Sequence, residues 1–257
     1  MRILALGDII TPTAVEYLCK HLWSYRAAHK VDMVIANAEN ASFLAGISAD
    51  PAKRLLAAGV DVLTGGNHTM QNRSVYAYLN EESRILRPIN FPADVPGNGA
   101  TVVDVNGYRV LVINAMGTVL IEPILDNPFP YIERTLERYA GEYDVSVLDF
   151  HAEATGEKVA MGQFLDGRMG LVFGTHTHVP TADEQILPRG TGYITDVGCT
   201  APTGGVMGVR SDVICNRFRT KIPHSYQPAT GPIRAEGILA DIDPATNRCT
   251  HVERVRF

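Results

Sequence analysis

The chain has 257 residues, 46% of them hydrophobic, and a formal net charge of −5 at pH 7. A chain of this size can bury a large core, so we expect residues 1–257 to form one domain. The mild negative charge argues against an extended nucleic-acid surface, which would be basic, but it allows a local site for a small phosphate compound.

Apolar runs and cysteines indicate the compartment. No apolar run reaches membrane length, and the opening run, residues 1–6, is too short for a signal peptide. The four cysteines are widely spaced and include no Cys-x-x-Cys pair, so the sequence indicates neither a thiolate zinc site nor a disulfide framework. We therefore expect a cytoplasmic protein with no membrane partner and with reduced cysteines.

The first two predicted strands end in polar residues. Residues 2–6 form the first strand, which Gly7-Asp8 ends, and from the residues alone Asp8 fits best as the N-cap of a helix over residues 14–29. The second strand, residues 32–36, runs into Asn37-Ala38-Glu39-Asn40. Two amides beside a carboxylate suit either a capped turn or a hard or borderline cation.

A glycine pair follows the third predicted strand. A short helix over residues 51–58 and a strand over residues 60–63 precede Thr64-Gly65-Gly66-Asn67-His68. Paired glycines allow backbone angles that other residues resist. We expect them to turn Asn67 and His68 sharply toward a shared centre.

Two hairpins change the expected fold. Residues 100–105 and 108–113 are joined by Asn106-Gly107, and residues 235–242 pair with 249–255 through a turn over residues 244–247. Strands that only alternate with helices would predict one parallel, doubly wound sheet. Hairpins in the middle and at the end of the chain instead predict two mixed sheets packed face to face.

Histidines follow the last two predicted strands of the pattern. After a helix over residues 131–139, the strand over residues 144–148 leads to Asp149-Phe150-His151. A helix over residues 157–165 and a strand over residues 169–173 then lead to Gly174-Thr175-His176-Thr177-His178. If this loop is extended, His176 and His178 point the same way, roughly 6.5 to 7 Å apart, and reach one small site.

The placement of the histidines favours a shared site. Taken singly, each such loop is also compatible with ordinary surface or core histidines. Ligands in open α/β sheets gather beyond the carboxyl ends of strands, so residues that follow several strands can meet in one crevice. Four of the eight histidines follow predicted apolar strands: His68, His151, His176 and His178.

These motifs resemble a known family. Gly7-Asp8, Gly66-Asn67-His68, a later lone histidine and Gly174 to His178 resemble, in order, the motifs of calcineurin-type metallophosphoesterases. Asn37 to Asn40, Asp149 to Thr155, Gly174 to Asp183 and Tyr193 to Gly198 resemble the YmdB-like branch, whose known activity is on 2′,3′-cyclic nucleotides. The resemblance implies a mixed α/β fold of four layers, α-β-β-α, with two mixed sheets flanked by helices.

The sequence also departs from the family patterns. Ile10 stands where the wider superfamily usually has a metal-binding histidine, and Glu39 stands where the bridging residue is usually Asp, although the YmdB-like branch shares both features. The loops at residues 10–13 and 42–45 differ from the branch itself. These two differences leave the fit of the substrate undecided. They do not affect the implied metal ligands.

The resemblance implies two metal ions bridged by Glu39. The two carboxylates leave about two positive charges on two divalent ions, which would attract a phosphate ester and activate a shared water as the nucleophile. Iron(II) or manganese fits the ligands, and zinc is an alternative. The implied ligands are Asp8, Glu39, Asn40 and His178 for one ion and Glu39, Asn67, His151 and His176 for the other.

His68 has no metal role in this scheme, so we expect it to act as general acid for the leaving oxygen. Asp183, Glu153 and Thr175 are candidates to support the metal-bound imidazoles. The predicted function is a dinuclear phosphodiesterase acting on a small phosphodiester, with a 2′,3′-cyclic nucleotide as first choice. The alternatives are a phosphomonoesterase or nucleotidase and a metal-containing regulatory scaffold, and a homo-oligomer is left open.

Overall fold

The computed structural model describes residues 1–42 and 46–257. Within them the chain forms sixteen strands, six α-helices and a short 3-10 helix at Arg73–Val75. The strands are β1 (Arg2–Leu6), β2 (Asp8–Ile9), β3 (Met33–Asn37), β4 (Val62–Thr64), β5 (Ala100–Val105), β6 (Tyr108–Met116), β7 (Val145–His151), β8 (Leu171–Thr175), β9 (Gln185–Ile186), β10 (Gly192–Ile194), β11 (Cys199–Pro202), β12 (Gly205–Val206), β13 (Val209–Arg210), β14 (Ile233–Arg234), β15 (Glu236–Asp243) and β16 (Arg248–Arg256). The helices are α1 (Pro12–Ala28), α2 (Ala49–Ala57), α3 (Tyr76–Glu81), α4 (Pro128–Arg138), α5 (Thr155–Leu165) and α6 (Ser211–Thr220).

Two mixed sheets hold most of these strands. The first has the order β16-β15-β1-β3-β4, in which β1, β3 and β4 are parallel and β15 is antiparallel to both of its neighbours. The second has the order β5-β6-β7-β8-β10-β9, in which the four central strands are parallel and both edge strands are antiparallel. Both predicted hairpins are present as β5-β6 and β15-β16.

Alternation along the strands explains the layers. In β1, Ile3 and Ala5 pack between the two sheets, whereas Leu4 and Leu6 face α1 and α2. Because both faces are covered, the strand is apolar from Ile3 to Leu6. The second sheet likewise packs its outer face against α4 and α5. The order of layers is therefore α-β-β-α, and the predicted fold class is confirmed.

The start of α1 corrects one expectation. The N-cap is Thr11, whose side chain accepts a hydrogen bond from the Ala14 amide at 3.2 Å, and Pro12 occupies the first turn. Asp8 is therefore not the cap of this helix, and that interpretation was wrong. Asp8 lies on β2 and pairs with Cys199 of β11, which leaves its carboxylate free to serve the site.

Strand ends also differ from the sequence expectation. Strand β7 continues to His151 and β8 to Thr175, because the parallel ladder joins Met116, His151 and Thr175 across three strands. Helix α6 was not predicted from the sequence, and none of its residues is buried. Of the atypical loop at residues 42–45, Ser42 is described and residues 43–45 lie outside the described part of the chain.

All four cysteines are free thiols, as expected. Helices within the described residues are too short or too polar to cross a membrane.

Candidate metal centre

The carboxyl ends of strands from both sheets meet at one site. Strands β1 to β4 supply its residues from one side, and β7 and β8 supply them from the other. Hydrogen bonds and close contacts join all the residues proposed from the sequence. They are Asp8, Glu39, Asn40, Asn67, His68, His151, His176 and His178.

One half of the site centres on His151, which is fully buried. Its Nε2 lies 3.3 Å from Glu39 Oε2, 3.0 Å from Asn67 Oδ1 and 3.1 Å from His176 Nδ1. One ligand atom each from Glu39, His151 and His176 lies within 4.8 Å of the other two. Carboxylate and imidazole donors at this spacing can hold one transition-metal ion.

The other half pairs Asp8 with His178. Asp8 Oδ1 lies 3.5 Å from His178 Nε2. Within residues 1–42 and 46–257, neither Asp8 Oδ1 nor either ring nitrogen of His178 has a hydrogen-bond partner, although all three atoms are buried. Leaving such a group unpaired costs about 1–3 kcal/mol. Asp8 Oδ1 and His178 Nε2 thus place a carboxylate oxygen and an imidazole nitrogen where both could bind a divalent cation.

Charge interactions between these groups shift their pKa values. Burial raises the pKa of Asp8, but the neighbouring His178 outweighs it, and the Asp8 pKa lies below its ordinary value. Burial lowers the pKa of His178, and the facing charge of Asp8 more than reverses that effect. Burial, followed by the charge of Asp8, raises the pKa of Glu39 to about 8. A bound cation would favour the ionised form of both carboxyl groups.

Asn40 and His68 extend the site toward solvent. Asn40 Nδ2 donates to Glu39 Oε1 at 2.8 Å, and Asn40 Oδ1 lies 2.8 Å from His68 Nδ1. The His68 amide donates to Glu39 Oε2 at 3.0 Å. The His68 side chain is 28% exposed, and burial lowers its pKa. It is thus both fixed by the buried residues and open to a substrate.

The glycine pair is needed because other side chains approach it closely. Neither Gly65 nor Gly66 has a positive φ, so the expectation that they supply unusual backbone angles was wrong. A Cβ on Gly66 would instead overlap the Glu39 carboxylate and the His151 ring. Residue 66 must be glycine for the strand end to approach these two side chains.

The histidine loop is not extended, contrary to expectation. His176 has φ 96° and His178 has φ 63°, a region that non-glycine residues seldom occupy and that costs of the order of 1–3 kcal/mol. Between them, Thr177 donates from its amide and its hydroxyl to Asp196, at 3.1 and 2.7 Å. Lys158 donates to the same carboxylate at 2.7 Å, and both members of this pair are buried. This buried ion pair fixes the loop that carries both histidines.

A polar chain lies under His151, and of its members only Thr175 was predicted from the sequence. His151 Nδ1 lies 2.9 Å from Thr175 Oγ1, which donates to Asp149 Oδ1 at 2.7 Å. The hydroxyl proton is thereby used on Asp149, so the Thr175 oxygen accepts from Nδ1–H and leaves the lone pair of His151 on Nε2. Asn37 and Thr64 also donate to Asp149, whose pKa burial raises to about 7. Asp149 is a charged residue inside an apolar strand, and this feature of the sequence could have indicated a buried polar chain.

Two of the three predicted supporting residues contact the histidines. Thr175 contacts His151, and Glu153 Oε2 lies 3.1 Å from His176 Nε2. Asp183 instead accepts from Thr181 and Thr195.

Comparison with known proteins identifies this arrangement. Residues 4–255 match the family described as YmdB-like protein. The chain belongs to the YmdB-like family. A relative from Bacillus subtilis (strain 168), the 2′,3′-cyclic-nucleotide 2′-phosphodiesterase, is 38% identical over 255 residues, which are 99% of this chain and 96% of that protein.

Solved structures share the fold of this YmdB-like chain. A crystal structure described as a novel phosphatase from Mycoplasma pneumoniae has a TM-score of 0.93 at 30% identity, and the match covers 100% of this chain and 93% of the other. A putative 5′-nucleotidase from Staphylococcus aureus has a TM-score of 0.63 at 15% identity, covering 99% of this chain and 54% of the other, and shares the fold alone. The YmdB-like chain is a metallophosphoesterase-type hydrolase, and such a fold implies divalent metal ions.

Proposed function

We propose that this hydrolase is a dinuclear phosphodiesterase that acts on 2′,3′-cyclic nucleotides. Two ions would share Glu39. Asp8, Glu39, Asn40 and His178 would hold one ion, and Glu39, Asn67, His151 and His176 would hold the other.

The observation that supports the proposal most is that Asp8 and His178 contain buried polar atoms without a hydrogen-bond partner in residues 1–42 and 46–257. Glu39, His151 and His176 suffice for one ion. They leave Asp8 Oδ1 and both His178 nitrogens buried without a partner among the described residues. A second cation would be held by Asp8 Oδ1 and His178 Nε2, and it would be the partner that these two atoms lack in the described part of the chain. Glu39 can reach both ions, because its two oxygens face different neighbours, Asn40 on one side and His151 on the other.

The ions would supply positive charge that attracts the phosphate ester and would lower the pKa of a water molecule. His68 then supplies a proton. Its Nδ1 is engaged by Asn40 Oδ1 at 2.8 Å, which leaves Nε2 to face a leaving oxygen. Burial lowers the pKa of His68, but the negative charge of an approaching ester favours the protonated ring. A general acid in this position contributes about 10²- to 10⁴-fold to the rate.

The choice of substrate rests on the relative at 38% identity, whose name gives a 2′,3′-cyclic nucleotide. For the metals, carboxylate, amide and imidazole ligands without a thiolate favour iron(II) or manganese over zinc, although availability in the cell contributes as much as affinity.

A substrate panel with metal analysis tests the proposal. Purified protein is assayed on a 2′,3′-cyclic nucleotide, bis-p-nitrophenyl phosphate and a 5′-nucleotide, with elemental analysis of the same sample. We expect about two metal ions per chain, and cleavage of both diesters well above that of the monoester. A chelator should abolish the activity, and manganese or iron(II) should restore it.

Each result that contradicts the proposal contradicts a different part of it. One ion per chain with full activity would contradict the dinuclear site but not the diesterase. Preference for the 5′-nucleotide would assign a nucleotidase. Full activity in the chelated protein would contradict metal dependence altogether.

A further inference from the structure

A second cavity lies away from the metal centre. It has a volume of about 590 Å³ and is formed between the segment from Arg87 to Val102 and one face of α4. This volume is within the range of sites for small organic ligands, roughly 300–1,000 Å³. None of the eight metal-centre residues lines it.

The lining of the cavity is positively charged. It contains three arginines, Arg87, Arg134 and Arg138, and no acidic residue. Among residues 1–42 and 46–257, none of the three guanidinium groups forms an ion pair with a carboxylate. Glu133 of α4 points elsewhere and pairs with Arg168 at 3.0 Å. Three positive charges thus face the same space without compensation from the described residues.

Arg87 is the decisive residue. It is only 6% exposed, and its Nε has no hydrogen-bond partner among the described residues, while Nη1 donates to the carbonyl of Pro88 at 3.0 Å. Burial lowers the pKa of this guanidinium, with no carboxylate to offset the effect. An arginine nevertheless stays charged in proteins, and a buried charge is costly unless it is paired. The cavity therefore presents a buried cation that lacks its anion.

The face of α4 orients the other two arginines. Tyr131, Arg134 and Arg138 follow one another at spacings of three and four residues, which places them on one side of the helix. The guanidinium carbon of Arg134 lies 5.7 Å from the Tyr131 ring centre, and that of Arg138 lies 5.6 Å from the ring centre of Tyr139. These contacts limit the freedom of the two exposed arginines, and a planar guanidinium group can bind a phosphate in a bidentate manner.

We propose that this cavity is a binding site for a small organic phosphate of mononucleotide size. The phosphate group faces Arg87, Arg134 and Arg138, and the organic part lies against Tyr131, Tyr139 and the apolar wall. A phosphate monoester carries about −1.5 to −2 charges, so it balances several guanidinium groups better than a single carboxylate would. This site does not depend on the proposed activity of the metal centre.

Adenosine 5′-monophosphate is a suitable probe, measured by isothermal titration calorimetry on the metal-loaded protein. The metal centre can itself take a phosphate, so the titration is repeated with Glu39→Gln, which alters that centre and leaves the cavity intact. We expect the Glu39→Gln protein to bind one equivalent of the probe. Inorganic phosphate should compete with the probe, and adenosine should not.

Variants of the cavity locate that binding. Because a charge-assisted hydrogen bond contributes about 1.5–3 kcal/mol, loss of one arginine should weaken binding about 10-fold or more. We expect this of Arg87→Gln and, more strongly, of Arg134→Gln with Arg138→Gln. The double variant changes exposed residues only, so it remains informative if Arg87→Gln does not fold. Arg219→Gln with Arg248→Gln removes two exposed charges outside the cavity and should bind as the parent does.

Three results would overturn the proposal. The first is an absence of probe binding in the Glu39→Gln protein. The second is unchanged binding in the Arg134→Gln and Arg138→Gln double variant. The third is competition by adenosine as strong as that by inorganic phosphate, since the site would then recognise the organic part alone.

Discussion

The two halves of the metal centre differ in how the protein satisfies their ligands. In the His151 half, Thr175 accepts from Nδ1–H, and the lone pair of Nε2 faces His176 Nδ1 at 3.1 Å. In the Asp8 half, Asp8 Oδ1 and both nitrogens of His178 have no hydrogen-bond partner among the described residues. One half is oriented by the chain itself, and the other depends on a bound cation for compensation.

This difference suggests unequal sensitivity to change. A ligand oriented by neighbouring hydrogen bonds can be disturbed through those neighbours, whereas a ligand without them can be disturbed only directly or through the metal. The following variants test whether the two halves differ in this way.

Glu39→Gln should have the largest effect, because Glu39 is proposed to serve both halves at once. We expect the fold to remain intact, the metal content to fall and turnover on the cyclic nucleotide to be abolished. Circular dichroism, elemental analysis and the diesterase assay measure these three properties. Near-normal rates with full metal content would contradict the shared ligand.

His68→Ala is expected to have the next largest effect, and its size should depend on the leaving group. A ribose alkoxide needs a proton to depart, and p-nitrophenolate does not. We expect a loss of about 10²-fold or more in kcat/KM on a 2′,3′-cyclic nucleotide and a clearly smaller loss on bis-p-nitrophenyl phosphate, with metal content unchanged. Equal losses on both substrates would instead assign His68 an electrostatic or positioning role.

Thr175→Val changes the His151 half alone. It removes the hydroxyl between His151 and Asp149 while keeping the shape, and a supporting residue of this kind typically contributes 10- to 100-fold to metal affinity or activity. We expect metal affinity to fall within that range. The matched control is Thr200→Val, because the Thr200 hydroxyl is buried and has no partner within the described residues. Equal effects of the two substitutions would mean that the chain under His151 does not support the metal.

Asp8→Asn should have the smallest effect, and it acts on stability. In the chelated protein, Asp8 faces His178 and accepts a hydrogen bond from the His176 amide at 3.1 Å. Its lowered pKa means that the ionised carboxylate stabilises the fold near neutral pH, so Asp8→Asn should unfold at a somewhat lower temperature than the parent. Added manganese should raise the melting temperature of the parent by about 5 °C and that of Asp8→Asn by less, since 100-fold excess over Kd stabilises by about 2.7 kcal/mol. Differential scanning fluorimetry measures both. A chelated variant that melts at the temperature of the parent or higher would show that Asp8 does not stabilise the metal-free fold.

Much of the fold followed from the apolar pattern. The two hairpins and the polar residues after the strands were predictable, because alternation and turn residues act locally. The same pattern brought His68, His151, His176 and His178 to one edge. Helix α6 was not predicted, and it buries no residue against the rest of the described chain.

The details of the site depend on contacts between distant residues. Asp149 and Asn37 are 112 positions apart in the chain, yet they are hydrogen bonded. The left-handed backbone of His176 and His178 likewise requires Asp196 and Lys158 from other elements. Local sequence could not reveal these partners, because they are joined only by the packing of the two sheets.

The close approach at Gly66 has a practical consequence. A single methyl group at this position would enter the space that Glu39 and His151 share, without changing any ligand. Glu39 and His151 would have to shift to admit it, so Gly66→Ala retains every donor while it reduces the room for a cation. Such a variant would separate the chemical identity of a metal site from its volume, two properties that substitution of a ligand always changes together.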